Sequence, residues 1–187
     1  GEPLLNREAV WRAILNLNHP DGLALGWRRF TISTVGIVPG IEQLAQEATG
    51  VALAVSLHAP DNVLRNQLVP INTRYPLERL VEAVRHYTER TGRRVTFEYA
   101  LIEGVNDSDT QARRTVELLR GLLCHVNLIP ANATAEAAYR PAQPERVARF
   151  QQILRRGHIQ TTVRIRRGDQ IEAACGQLRG QHLEAMG

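Results

Sequence analysis

Apolar positions repeat along this chain at two spacings, and the two alternate. Behind Asn6, which can cap a helix, Val10, Ile14 and Leu17 recur at helical spacing. His19-Pro20-Asp21-Gly22 is turn chemistry. Arg29 to Thr34 then alternates like a strand, and Gly36 and Pro39-Gly40 punctuate the chain before a short helix carrying Ile41, Leu44 and Ala48. Val51 to Val55 is a continuous apolar run, the mark of a strand buried on both faces. A short helical piece follows from Asn62 to Leu68. Pro76 suits the first turn of a helix with Leu77, Leu80, Val81 and Val84 on one face.

The second half continues the alternation. Arg94 to Leu101 reads as a strand. Asn106 to Asp109 is a loop and cap signal for a helix holding Val116, Leu119 and Leu122. Val126 to Pro130 is the next strand. Ala131 to Gln143 is poor in apolar bulk and reads as a loop. Pro144 to Arg156 is a helix holding Val147, Phe150 and Leu154, and Gly157 can end it. Thr161 to Ile165 is a last strand. About five strand–helix alternations predict a parallel α/β fold with right-handed crossovers. No internal repeat or second domain is visible.

In barrel-type α/β folds the site is built where strands run into helices. Here those ends are polar: Ser33-Thr34, then Ser56-Leu57-His58-Ala59-Pro60, then Glu103 to Asp107, then Asn127 through Asn132, then an arginine-rich stretch leading to Cys175. Each residue alone has a bland reading. Ser33 and Ser56 can satisfy backbone near turns, His58 can be a bonded loop histidine, and Asn106 and Asn132 can be turn residues. Their common edge predicts one shared pocket. No glycine-rich phosphate loop, metal-spaced histidine pair or Ser-His-Asp order stands out.

Composition narrows the picture. At 187 residues, 43% apolar and 5% aromatic, the chain suits one soluble domain with a sizeable core. No apolar run approaches the roughly 20 residues that span a bilayer, and no secretory signal opens the chain. Two cysteines, Cys124 and Cys175, make no disulfide framework, which fits a reducing, cytoplasmic setting. All 23 basic residues are arginine, an effect a GC-rich genome also produces, but the net charge of +4 adds modest support for an anionic, nucleic-acid partner.

The densest chemistry lies from Arg164 to Leu178. Arg164, Arg166, Arg167, Asp169 and Glu172 precede Cys175, which stands between Ala174 and Gly176. Nearby arginines favour a thiolate, the nucleophilic form of cysteine. The residues alone leave two readings open: a working thiol beside RNA, or a small buried apolar residue.

Five ordered motifs then carry a resemblance. Gly1-Glu2-Pro3-Leu4-Leu5-Asn6, Ser56-Leu57-His58-Ala59-Pro60, Val69-Pro70-Ile71-Asn72, Val126-Asn127-Leu128-Ile129-Pro130 and Arg167-Gly168-Asp169-Gln170-Ile171-Glu172-Ala173-Ala174-Cys175-Gly176-Gln177-Leu178 resemble the RlmN/Cfr family of radical S-adenosylmethionine (SAM) methyltransferases. The likeness runs over residues 1–180, with 181–187 as a tail. It implies a partial TIM-like radical SAM barrel of mostly parallel strands, truncated at its N-terminal side. It implies methylation of adenine C2 in 23S rRNA, and possibly tRNA, with SAM and a [4Fe–4S] cluster as cofactors and a flavodoxin-type reductant as partner. By the same resemblance Gly1, Glu2, Ser33, Ser56, Leu57, His58 and Asn127 contact SAM. Cys175 matches the cysteine that is S-methylated before a 5′-deoxyadenosyl radical activates that methyl group for transfer to the ring carbon. Arg164, Arg166 and Arg167 are candidate RNA-phosphate contacts by charge and place.

The chain departs from the family pattern at the cluster loop, at the resolving cysteine, which lies upstream in the family, and at Ala131-Asn132-Ala133, where many members have Trp-Asn-Pro. The cluster-binding CxxxCxxC loop, upstream of Gly-Glu-Pro in the family, has no counterpart here, and two cysteines cannot supply three thiolates. Cys124 reads as structural. The expectation is therefore a C-terminal part of such an enzyme, its opening looking like the end of a strand, inactive by itself. The alternatives are a non-catalytic SAM- or RNA-binding remnant, or an unrelated barrel enzyme for phosphorylated substrates.

Overall fold

A computed structural model describes residues 1–47, 50–130 and 139–164. Among these residues five strands form one sheet: β1 (Thr31–Thr34), β2 (Ala52–Ser56), β3 (Val95–Leu101), β4 (Cys124–Pro130) and β5 (Gln160–Val163). All neighbours pair in parallel, and their spatial order is their sequence order. A sheet that advances in one direction without reversing is the winding of a barrel, not of a doubly wound fold. The five strands are an open arc of such a barrel.

The helices follow from the same alternation: α1 (Arg7–Asn18), α2 (Val38–Glu47), α3 (Asn62–Leu68), α4 (Leu77–Thr91), α5 (Asp109–Leu119) and α6 (Pro144–Arg156). Parallel neighbours joined by right-handed crossovers place their helices on one face of the sheet. Burial agrees. Along β3, Val95, Phe97, Tyr99 and Leu101 are buried while Thr96, Glu98 and Ala100 are partly open. Along β4, Cys124, Val126 and Leu128 are buried while His125, Asn127 and Ile129 are partly open. The core lies between the covered face and the helices, where Leu80, Val84, Tyr87, Leu119, Phe150 and Leu154 meet the strands. The other face is the inner face of the arc.

The predicted elements recur with shifted bounds. The opening is a 3-10 turn over Pro3–Leu5, not the end of a strand: Pro3 brings a fixed φ and no N–H, and the Glu2 carboxylate accepts from the Leu4 amide. Asn6 stands at the start of α1, but its side chain makes no capping bond. Pro76 precedes α4 as its N-cap. α5 stops at Leu119, so Leu122 is buried from the loop beyond it, after Gly121 at φ 75°. β4 begins two residues earlier than its apolar run, at Cys124, and β5 one residue earlier, at Gln160. Asp61 and Ser108 cap α3 and α5 by accepting from Leu64 and Gln111 amides.

Candidate functional site

The parallel order brings all five strand exits to one edge, as the polar strand ends predicted. Two neighbouring exits are tied by a buried guanidinium. Arg65, on α3, is fully buried and donates to the carbonyls of Val35 (2.8 Å), Ser56 (2.8 Å) and Leu57 (3.0 Å) and to Asn72 Oδ1 (2.8 Å). Those carbonyls belong to the exits of β1 and β2, where the chain leaves the ladder and would otherwise strand acceptors. Asn72 is itself buried and donates to the side chains of Asn62 and Asn66. This explains the Val69-Pro70-Ile71-Asn72 motif structurally: it holds the arginine. Burial lowers the Arg65 pKa to about 10, which leaves it charged at neutral pH.

Glu2 joins the same knot. Its Oε1 accepts from the Leu4 amide (3.0 Å) and its Oε2 from the Val35 amide (2.8 Å). Gly1 beside it is exposed. The Gly-Glu-Pro segment is thus pinned to the exit of β1, and Leu4 packs on Gly40 of α2.

His58 sits in a tight turn after β2. Its φ is 57°, a left-handed value that costs a branched or bulky side chain energy, and the Ala59 amide closes the turn on Leu57 O at 2.8 Å. The Ala100 amide donates to His58 Nδ1 (3.0 Å), so Nε2 carries the proton of the neutral ring. Burial, aided by the charge of Arg65, lowers the His58 pKa to about 4. Asn106, buried, clamps the turn by donating to His58 O (2.8 Å) and Ala100 O (2.7 Å) and accepting from Ile102 N (2.7 Å). Leu57 between them is buried in the core, so only its backbone reaches the edge.

The inner face carries the rest. Pairing aligns Ser56, Glu98, Asn127 and Thr162 in one row, and Ser33, Ala54, Thr96, His125 and Gln160 in the row below. From Glu98 to Thr162 the upper row is bonded side chain to side chain, and His125 of the row below joins it at Thr162. Asn127 Nδ2 donates to Glu98 Oε2 (2.9 Å), Thr162 Oγ1 donates to Asn127 Oδ1 (3.2 Å), and His125 Nε2 meets Thr162 Oγ1 at 2.8 Å. Glu98 has its pKa raised by burial, with Asn127 and Arg164 opposing. Sequence reasoning missed Glu98, Thr162 and Arg65. Glu98 had a signal: the one charged residue of strand β3, at a position alternating with Val95, Phe97, Tyr99 and Leu101.

The predicted residues therefore fall in three places. Ser33, Ser56 and Asn127 lie on the inner face, Glu2 and His58 are bonded into the exit edge beside Gly1, and Arg164 is exposed just past β5. Cys175, Arg166, Arg167 and Asn132 lie outside the described residues. A groove of about 650 Å³ lined by Glu145, Arg149, Arg155 and Arg156 belongs to the solvent side of α6 and contains none of the site residues.

The radical SAM superfamily pattern matches residues 1–116, more than half of the chain. The chain belongs to the radical SAM superfamily. It is 53% identical over 184 residues, 98% of its length, to a probable dual-specificity RNA methyltransferase RlmN of Caldanaerobacter subterraneus. It is 53% identical over 182 residues to the protein so named in Symbiobacterium thermophilum. It covers 54% and 49% of those two proteins, so it spans about half the length of the curated relatives it matches. The crystal structure of a radical SAM methyltransferase from Sphaerobacter thermophilus superposes with a TM-score of 0.92 at 55% identity, covering 95% of this chain and 52% of that one. A domain of pyruvate-formate lyase-activating enzyme from Bacteroides vulgatus, at 20% identity and a TM-score of 0.64, shares the fold.

Radical SAM chemistry in the superfamily uses SAM and an iron–sulfur cluster. The residues here do not fit the cluster. Cys124 opens β4, at the opposite end of the strand from the exits, and burial pushes its thiol up to about 11, against the thiolate a cluster ligand requires. Among the described residues no group of three His, Cys, Asp or Glu is placed to hold a metal ion. The donors and acceptors of the inner face do fit SAM, which carries amine, carboxylate and hydroxyl groups. No helix among the described residues is long and apolar enough to cross a membrane.

Proposed function

We propose that this chain is the SAM-holding and methyl-carrying part of a radical SAM RNA methyltransferase that modifies adenine C2 in 23S rRNA and tRNA. The observation that carries the reading is the 53% identity to RlmN proteins over nearly the whole chain, with Cys175 inside its full motif. SAM supplies a methyl group on a sulfonium leaving group. Ser33, Ser56 and Asn127 on the inner face, with Gly1, Glu2 and His58 at the exit edge, hold and orient it. The Glu2 carboxylate keeps a lone pair on each oxygen beyond its two backbone bonds, and the neutral His58 ring offers its Nε2 proton.

Cys175 accepts the methyl group. Its thiolate attacks the methyl carbon, the carbon–sulfonium bond breaks with its electron pair, and S-adenosylhomocysteine leaves. A neutral adenine ring carbon is too poor a nucleophile for this displacement, which is why a carrier thiol is used. The arginines at 164, 166 and 167 contact RNA phosphates. A flavodoxin-type protein is the electron donor of the intact enzyme.

Two measurements test this. In the intact protein after incubation with SAM, mass spectrometry of the Cys175 peptide is expected to show one added methyl group; an unmodified thiol overturns the carrier role. The 187-residue chain, supplied with iron, sulfide and reductant, is expected to release no 5′-deoxyadenosine from SAM. Cleavage there would overturn the need for ligands outside this stretch. A chain that binds SAM while the Cys175 thiol of the intact protein stays unmethylated would instead be a non-catalytic binding remnant.

A further inference from the structure

The upper row of the inner face contains a carboxylate that the SAM-contact residues proposed above do not include. Among the described strands, the inner-face positions are threonines, serines, alanines, Gln160, His125, Asn127 and Ile129, and Glu98 is their one carboxylate. It sits at mid-sheet, paired in register between Ser56 and Asn127. An ionised carboxylate offers about four lone-pair positions. Glu98 uses one of them among the described residues, through Oε2 to Asn127. Oε1 accepts nothing among the described residues, although the side chain is half-buried. Arg164 is near enough to favour the ionised form but makes no ion pair with it among the described residues. A half-buried carboxylate with an open oxygen on a polar face is a site for a donor that arrives with a ligand.

Glu98 also decides how Asn127 presents itself. A carboxylate only accepts, so the Asn127 amide must turn its Nδ2 toward Glu98 and its Oδ1 toward Thr162. The Thr162 hydroxyl, spending its proton on Asn127, accepts from His125 Nε2. This chain of bonds therefore has one direction, from the His125 proton in the row below to the Glu98 carboxylate. It leaves Asn127, among the described residues, with one free N–H and one free acceptor position.

We propose that Glu98 is a further SAM-holding residue, which accepts a hydrogen bond from a hydroxyl or amine of bound SAM through Oε1 while Oε2 fixes the amide of Asn127. The inference rests on the reading that this face holds SAM. A ligand with several donors and a net positive centre suits the one carboxylate on the face.

The test is calorimetric titration of SAM into the 187-residue chain, with Glu98→Gln and Thr162→Val beside it. Glutamine keeps an acceptor for Asn127 Nδ2 but removes the charge. Loss of a charge-assisted hydrogen bond predicts about tenfold or more weaker SAM binding by Glu98→Gln with an unchanged melting temperature. Thr162→Val, which removes the other Asn127 partner and keeps the carboxylate, is expected to lose less. Equal binding by Glu98→Gln and the unsubstituted chain overturns the inference and leaves the SAM-site reading standing. No SAM binding by the unsubstituted chain overturns both. Should the variant fail to fold, carbon NMR of the unsubstituted chain decides: the Glu98 carboxyl resonance is expected to shift on adding SAM, and a resonance that does not move overturns the proposal.

Discussion

The side chains that shape the strand exits act through backbone groups. Arg65 satisfies three carbonyls that no ladder reaches, without an acidic partner among the described residues. Arg65→Ala would leave the Val35 and Ser56 carbonyls without that donor, while Leu57 O keeps the Ala59 amide, and a loss of about 3 kcal/mol or more is expected in urea unfolding. Arg65→Lys is expected to recover little of it, because an ammonium cannot reproduce the guanidinium fork. His58 gives the molecule a pH dependence. Its folded pKa is lowered to about 4 from 6.5, so the unfolded chain binds more protons between those values, and stability falls as pH drops from about 6.5 to about 4. The full effect is about 3 kcal/mol. His58→Asn tolerates the left-handed φ and can still accept from the Ala100 amide, and it is expected to flatten that slope in thermal melts across the same window. A slope that survives in the variant would place its origin elsewhere.

At the scale of elements, contacts between helices and turns decide the sign of changes that propensity alone would misjudge. Gly40 lies in α2, where alanine ordinarily stabilises a helix by about 0.5–1 kcal/mol. A Cβ there would meet Leu4 Cβ at 2.8 Å, against the turn that carries Glu2. Gly40→Ala is therefore expected to destabilise by about 1–3 kcal/mol in denaturant melts, the range for overpacking a well-filled contact. A neutral or stabilising result would mean that the Gly-Glu-Pro turn moves aside readily. Gly157 follows the same logic: its φ of −81° suits any residue, yet a Cβ would run into Val116 of α5. The helix-stop read from the sequence is correct in place, but close packing, not backbone freedom, demands glycine there.

Across the whole molecule, the sheet is covered on one face and open on the other. β3 and β4 are seven residues long and central, whereas β1 and β5 have four residues each and flank the arc among the described strands. Hydrogen exchange is expected to be slowest at Phe97, Tyr99, Val126 and Leu128 and faster along β1 and β5. Equal protection across all five strands would contradict this gradient. The open inner face also explains why a sheet with a helix-covered side still leaves the side chains of Ser33, Ser56, Glu98 and Asn127 uncovered by the described helices: right-handed crossovers send those helices to the other side.

Sequence alone determined the alternation of elements, the parallel class, the polar strand exits and the family, because periodicity and contiguous motifs are local properties. It placed Ser33, Ser56, His58 and Asn127 at or near one edge for the same reason. It misread the opening residues as strand, since a proline and a side-chain cap outweigh two leucines over so short a segment. Tertiary structure alone decided what the polar residues do. Arg65 looked like an ordinary helical arginine until folding buried it under three carbonyls more than seven residues away. Glu98 became the partner of Asn127 only through the register of β3 on β4, a pairing of positions 29 residues apart that no local pattern encodes.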